Sequence, residues 1–199
     1  MATRPRVSSP NLYYHVTLRG NRKETIFRED MDYWILLKII MDTIKHYKNQ
    51  FYINCFCFMT NHIHLLLYIK EENISLIMNR INSMYTRYFN KKYGLNGHLF
   101  EGRFNSEIIS NDSYLLEVSR YIHLNPVRAN IVSRPEDYNF SSYKMYIGYD
   151  KERFIKTEDI LGYFINTKCK REFYKDFVES SIFSPLGNNL INGESTMDN

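Results

Sequence analysis

His62 and His64, two residues apart in the run NHIHLLLYI, are the first residues whose type and spacing could do chemistry. Side chains at i and i+2 of a strand point to the same face, so the two imidazoles would project together while Ile63, Leu65 and Leu67 project the other way into a core. Two such rings are half of a metal site. Buried and unpaired they would cost stability, so they need a cation or a hydrogen-bonding network; half-exposed, they are an ordinary pair of sheet histidines. Tyr121 and Asn125, in SRYIHLNPVRAN, form the second constellation. Four residues along a helix complete about one turn, which places the phenol and the amide on one face that could be turned toward the histidines. Taken alone, they are also a packing tyrosine and a turn residue before Pro126.

The elements that must position these groups can be read from periodicity. Residues 11–19 (NLYYHVTLR) are β-branched and aromatic and end at Gly20-Asn21, a strand and then a turn. Residues 31–47 repeat apolar positions at helical spacing. Residues 51–59 and 62–69 are two β-prone runs separated by Thr60-Asn61, an antiparallel hairpin of largely buried strands. Helical spacing returns over 73–92, a glycine-containing loop covers 93–102, and 104–110 is a short strand. Asn111-Asp112-Ser113 then offers N-cap chemistry for a helix from about Tyr114 to Leu124, with Pro126 expected to stop it. The order βαββαβ predicts an α+β protein with a ferredoxin-like, four-stranded antiparallel sheet and helices on one face. Residues 1–149 would form this domain. Residues 150–184 would be a small helical C-terminal extension, with helices near 157–165 and 170–180, and 185–199 a disordered tail.

Composition narrows the class of protein. With 199 residues, 44% hydrophobic and 24% charged, the chain can bury one domain's core, which excludes a disulfide-stapled miniprotein, a multidomain machine and wholesale disorder. No window reaches the ~18 consecutive apolar residues of a membrane span, and the start, MATRPR, lacks a signal peptide's apolar stretch. A cytoplasmic protein without a membrane partner is expected. Cys55, Cys57 and Cys169 contain no CxxC pair, and the first two fall in an apolar run, which suits buried thiols better than zinc ligands. The unusual feature is 17 Tyr and 13 Phe together with a net charge of +4. Rings among cations suit single-stranded nucleic acid, where bases stack and phosphates follow the positive charge. The charge is uneven: Arg4, Arg6, Arg19, Arg22 and Lys23 stand in the first 23 residues without an acidic residue, whereas 151–199 is about neutral.

Four segments, in order and spacing over roughly residues 5–149, resemble the single-tyrosine HUH transposases. They are Met59–Leu67 (MTNHIHLLL), the earlier Tyr14-His15-Val16 with Arg19–Arg22, Gly97–Phe104 (GHLFEGRF) and Arg120–Ala129 (RYIHLNPVRA). The branch associated with repetitive extragenic palindromes is the most similar. The resemblance implies that His62 and His64 bind a divalent metal, Mg²⁺ or Mn²⁺, and that Tyr121 is the nucleophile. Tyr121 would attack single-stranded DNA to leave a 5′-phosphotyrosine and a free 3′-hydroxyl. Asn125 matches the position that completes the metal site, where related insertion-sequence enzymes carry Gln, one methylene longer. Arg4, Arg6, Arg19, Arg22 and Lys23 would contact phosphates, with Arg103, Arg120 and Arg128 nearer the chemistry and His98 behind it.

The expected partner is single-stranded or hairpin DNA, and the expected activity is nicking and rejoining at hairpin or palindromic ends, with a homodimer as one assembly open to it. Two other readings stay open at this stage. One is a domesticated DNA-binding protein of the same fold with little or no mobility. The other is a metal-dependent hydrolase in which water, not Tyr121, is the nucleophile.

Overall fold

The computed structural model describes residues 9–164 and 169–182. Arg4, Arg6 and the tail expected from 185 onward lie outside these residues. Strand β1 (Leu12–Arg19) is followed by α1 (Asp30–His46), β2 (Phe51–Met59), β3 (His62–Ile69), α2 (Ile74–Tyr93), β4 (Asn105–Ile108) and α3 (Asp112–Arg128). The strands form one sheet in the order β2-β3-β1-β4, with every pairing antiparallel. This is the α+β arrangement that βαββαβ implies, because each helix carries the chain over one intervening strand.

The helices begin where side-chain chemistry satisfies free N–H groups. The Asn111 side chain accepts from Tyr114 N at 2.8 Å and the Asn73 side chain from Ser75 N at 2.8 Å. At the start of α1, Asp32 accepts from the N–H of Arg28 at 2.8 Å and of Glu29 at 3.2 Å. The same buried carboxylate receives Lys92, Tyr88 and Tyr93 of α2, and these bonds hold it down to about 2 against the upward push of burial.

Both faces of the sheet are covered. Helices α1 and α2, inside the βαββαβ unit, share one face: Phe27, just before α1, stacks on Tyr33 and Phe58 and meets Tyr85 at a tilt, with ring centroids 4.0, 6.0 and 5.6 Å away. Helix α3 lies on the other, with Tyr121 against His15 and His64. Helices on a single face therefore describe the βαββαβ unit and not the whole chain. Nor does Pro126 stop α3, which runs on to Arg128. Proline there removes one N–H, but Ala129 N still reaches Asn125 O at 2.9 Å, and within the last turn little helix remains to be disrupted.

The segment after α3 is built into the same core. Strand β2 is an edge strand by order, yet it is buried, because residues 139–156 run along it: Phe58 N donates to Phe140 O at 2.9 Å and Lys156 N to Ile53 O at 2.8 Å. Short helices α4 (Tyr143–Tyr146) and α5 (Glu158–Leu161) and the longer α6 (Lys170–Glu179) follow. Residues 150–184, expected to be an extension, thus contribute to the interior where described: Tyr174 and Val178 are fully buried against α3 and α4. The exposed Cys169 and the buried Cys55 and Cys57 are all free thiols.

Candidate active site

Strands β1 and β3 place three histidines on one face. The pairings Thr17↔His64 and Arg19↔His62 align β1 against the histidine pair, and His15, two residues before Thr17, shares their face. His62 and His64 have ring centroids 5.0 Å apart at an interplanar angle of 85°. His15 Nε2 lies 3.2 Å from His64 Nδ1, both rings being buried. His62 Nδ1 lies 2.7 Å from Asn61 Oδ1. The Asn61 amide nitrogen donates to Lys23 O at 3.1 Å, which fixes the oxygen toward His62. Because that oxygen can only accept, His62 carries its proton on Nδ1 and presents the Nε2 lone pair.

The turn that supports this arrangement depends on Gly20. Its N–H donates to Asn61 O at 2.8 Å, and a Cβ at this residue would stand 2.2 Å from Glu24 O. A side chain there would displace the turn through Glu24 and Ile26, and the Ile26 N–H is bonded to Thr60 O of the hairpin that carries His62.

Helix α3 brings Tyr121 over the histidines. Its ring centroid lies 5.5 Å from that of His64 and 5.9 Å from that of His15, edge-on to both. A cavity of about 540 Å³ opens here, with Tyr121, His62, His64, Arg19 and Arg103 in its wall and Glu101 as its carboxylate. Burial pulls His62 down to about 4, with help from Arg19, and burial likewise pulls His15 down to about 4 against the pull of Glu107. His64 is pushed well below the usual histidine range by burial and then by its two histidine neighbours. All three are therefore neutral at pH 7, the form in which an imidazole can ligate a cation.

The two imidazoles fit a divalent metal in donor chemistry: each is neutral, each has Nδ1 occupied by a neighbour, and each can turn Nε2 to the cleft. No group of three or more His, Cys, Asp or Glu among the described residues is gathered tightly enough to hold a metal by itself. Further ligands would be oxygens of substrate, water or another side chain.

Not every nominated residue comes to this cleft. Asn125 is buried, its Nδ2 donates to Tyr121 O at 2.9 Å, and it is absent from the cleft wall. Arg120 is turned away from the cleft: it pairs with Glu117 and lies over the Phe177 ring at 4.5 Å, so it joins α3 to α6. Arg128 covers the Tyr121 ring at 5.1 Å. Arg22 and Lys23 are exposed on a 3-10 turn at the end of β1, outside the cleft wall, and His98 lines the neighbouring cavity. His15 and Glu101 were not nominated from sequence as site residues. The signal for His15 was available in principle: strand pairing of residues 12–19 with 62–69 would have put it on the histidine face.

A ferredoxin-like sheet with paired histidines on one face and a helix-borne tyrosine above them defines a candidate phosphodiester-processing site, and comparison with known proteins gives the family. The sequence profile described as "Transposase IS200 like" matches residues 8–125, more than half of the chain, and the protein belongs to that family. A solved REP-associated tyrosine transposase bound to a REP hairpin is similar in fold, at 19% identity and TM-score 0.62, over 85% of this chain and 96% of that one. Two other structures share only weaker likeness. One is a Deinococcus radiodurans R1 protein provisionally described as a transposase (15% identity, 61% and 95% covered, TM-score 0.42). The other is the tRNA(His) guanylyltransferase of Saccharomyces cerevisiae (12% identity, 93% and 83% covered, TM-score 0.44). No curated protein matches the chain.

Proposed function

We propose that this transposase nicks and rejoins single-stranded DNA at hairpin or palindromic ends through a 5′-phosphotyrosine at Tyr121. The observation that carries the reading is that one cleft gathers Tyr121, His62 and His64 from elements far apart in sequence. The solved fold relative bound to a REP hairpin supports DNA of that kind as the partner.

In the forward step the Tyr121 hydroxyl oxygen attacks the scissile phosphorus. The Tyr121 O–P bond forms, the P–O3′ bond breaks, the phenol proton leaves, and the departing 3′ oxygen ends protonated. Rejoining is the reverse, with a 3′-hydroxyl attacking the phosphotyrosine, so the phosphodiester energy is conserved and no nucleotide triphosphate is needed. A free tyrosine is only about one part in a thousand ionised at neutral pH, so positioning and charge stabilisation must supply much of the rate. A divalent cation, Mg²⁺ or Mn²⁺, bound by His62 and His64 would polarise the phosphate oxygens.

The chain's own residues do the rest. His15 accepts the Nδ1 proton of His64 and so aims Nε2 of His64 at the cleft, as Asn61 does for His62. Asn125, expected as a third ligand, acts here as a positioning group: its amide braces the Tyr121 carbonyl one turn before Pro126. Arg19 and Arg103, in the cleft wall, hold the phosphate backbone.

Incubation with labelled single-stranded hairpin DNA from the flanks of the chain's own gene, with Mn²⁺, should yield a denaturation-resistant protein–DNA adduct that disappears in Tyr121→Phe and in His62→Ala/His64→Ala. Cleavage without an adduct that persists in Tyr121→Phe would instead establish the hydrolase, and binding without cleavage the domesticated protein.

A further inference from the structure

A groove between α1 and the segment after α3 lies away from the cleft and shares no lining residue with it. Trp34, Leu37, Lys38 and Met41, at the spacing of one helical face, form one wall; residues 139–154 form the other, and Phe56 of β2 lies at the base. Trp34, the chain's single tryptophan, is 45% exposed with its ring edge-on to Phe140 at 6.1 Å, and Met31, one turn earlier, is 55% exposed. Met145 and Phe154 complete the apolar lining, with Phe154 stacked on Phe56 at 6.0 Å. Trp and Met are enriched at the buried centres of protein interfaces, because a ring and a thioether offer large contact area and adapt to a partner's shape.

Size and charge indicate what the groove takes. Its volume is about 130 Å³, below the ~300–1,000 Å³ that enclose a whole small molecule. It is close to the cavity of about 150 Å³ that holds one benzene, so one aromatic or branched aliphatic side chain fills it. Whatever carries that side chain must lie outside, across the rim. The rim is cationic, with Lys38, Lys144 and Arg153 against Asp150. Lys144 Nζ donates to Asn139 Oδ1 at 2.8 Å, and Asp150 accepts from Lys151 N at 2.7 Å. Lys38, on the α1 wall, and Arg153, on the opposite one, are exposed and have no hydrogen-bond or ion-pair partner among the described residues. Two free cations beside an apolar slot complement carboxylates beside an apolar anchor.

We infer that this groove docks an acidic peptide segment of a partner protein. One leucine or aromatic side chain of the segment fills the slot lined by Trp34 and Met145, and neighbouring Asp or Glu residues pair with Lys38 and Arg153. A nucleic-acid strand would satisfy the cations but leave the slot to a base whose polar edges the Trp, Met and Phe lining cannot pair. The groove thus brings a second protein to the transposase while the cleft stays open to DNA, and it does not depend on the proposed chemistry at Tyr121.

The test is selection from random short peptides displayed on phage by the full chain and by Lys38→Glu/Arg153→Glu, alongside thermal melting of each. Both substituted residues are exposed and unpaired among the described residues, so the variant should melt with the wild type. The wild type should enrich peptides with one Leu, Phe, Tyr or Trp beside Asp or Glu. A synthetic winner without Trp should shift the emission of Trp34, which no other tryptophan obscures, and do so saturably and less tightly as salt rises. It should bind the variant roughly tenfold more weakly. Winners without carboxylates, no winner, a winner that leaves Trp34 emission unchanged, or equal binding by the variant overturns the inference. So does any sign of another occupant. A winner displaced by single-stranded DNA, a motif matching residues 183–199 of this chain, or a Trp34 shift on raising protein concentration alone would assign the groove to nucleic acid, to the chain's own tail or to a second copy.

Discussion

His64 and His123 are both buried imidazoles on the α3 side of the sheet, and they differ in what their second nitrogen does. His123 is fully buried, and both its nitrogens are taken: Nδ1 lies 2.7 Å from the Tyr174 hydroxyl and Nε2 2.8 Å from Ser142 Oγ. Tyr174 in turn donates to Ser119 Oγ at 3.1 Å, so this cluster ties α3 to α4 and α6. His64 has one nitrogen against His15 and turns its remaining edge to an open cleft under Tyr121. A closed network specifies packing; a half-satisfied one leaves a lone pair for a ligand. Both kinds serve the site, since α3 holds His123 and Tyr121 two residues apart. The region around His123 fixes the helix, and the region around His64 uses it.

That contrast can be broken most directly at His64. His64→Ala should lower adduct formation by on the order of 10⁴-fold in single-turnover assays, and Tyr121→Phe should abolish it with a thermal melting curve near that of the wild type. A His64→Ala protein that keeps its activity would place the chemistry elsewhere.

Next in size is the effect of His123→Ala. It leaves a cavity and unpaired hydroxyls on Tyr174 and Ser142, and should cost about 2–4 kcal/mol in urea denaturation, with adduct formation recovering under conditions that restore folding. Acid should reveal the same residue. Burial pulls His123 down to about 3 from the ordinary 6.5, so between those values the unfolded chain binds a proton that the folded chain refuses. Stability is then complete above pH 6.5 and falls as pH drops toward 3, at up to ~1.4 kcal/mol per pH unit from this one group. His123→Phe should reduce that slope by its own share, the buried cleft histidines supplying the rest; an unchanged slope would show that His123 does not contribute.

His15 lies between the two regions, buried like His123 but bonded to a cleft residue. His15→Phe should weaken Mn²⁺ binding, read by calorimetry, by about 10–100-fold, and His15→Gln should recover part of it through an amide that can accept from His64. Equal losses in both variants would mean that bulk and not hydrogen bonding is what matters.

The smallest effects separate two arginines. Arg103, in the cleft wall, should on replacement by Ala weaken single-stranded DNA binding and reduce the salt dependence by about 0.7 in slope. Arg120→Ala should leave that slope unchanged and lower stability instead, since its guanidinium is held by Glu117 and the face of Phe177.

The difference between these arginines shows where sequence reasoning ran out. Strand alternation around Ile63, Leu65 and Leu67 placed the histidine pair on one face, and helical spacing placed Tyr121 on α3, because both follow from local periodicity. The four-stranded order followed from the succession of elements. Arg120 adjoins Tyr121 in the chain but projects to another side of the helix, toward an α6 whose docking no local pattern announces. The burial of Tyr174 against His123, 51 residues earlier, and the folding of the Asn125 amide back onto Tyr121 O are likewise products of tertiary packing. Pro126 misled for a related reason: its ring forbids one hydrogen bond, and the surrounding contacts carry the helix on to Arg128.

The central claim is that the Tyr121 oxygen itself becomes bonded to DNA. It is tested most directly by digesting the protein after reaction with single-stranded hairpin DNA and Mn²⁺, trimming the DNA with nuclease, and sequencing the modified peptide by mass spectrometry. The account predicts a nucleotide mass attached at Tyr121, carried through the 5′-phosphate. A nucleotide on another residue, or cleaved DNA bearing free 5′-phosphates with every peptide unmodified, would contradict it.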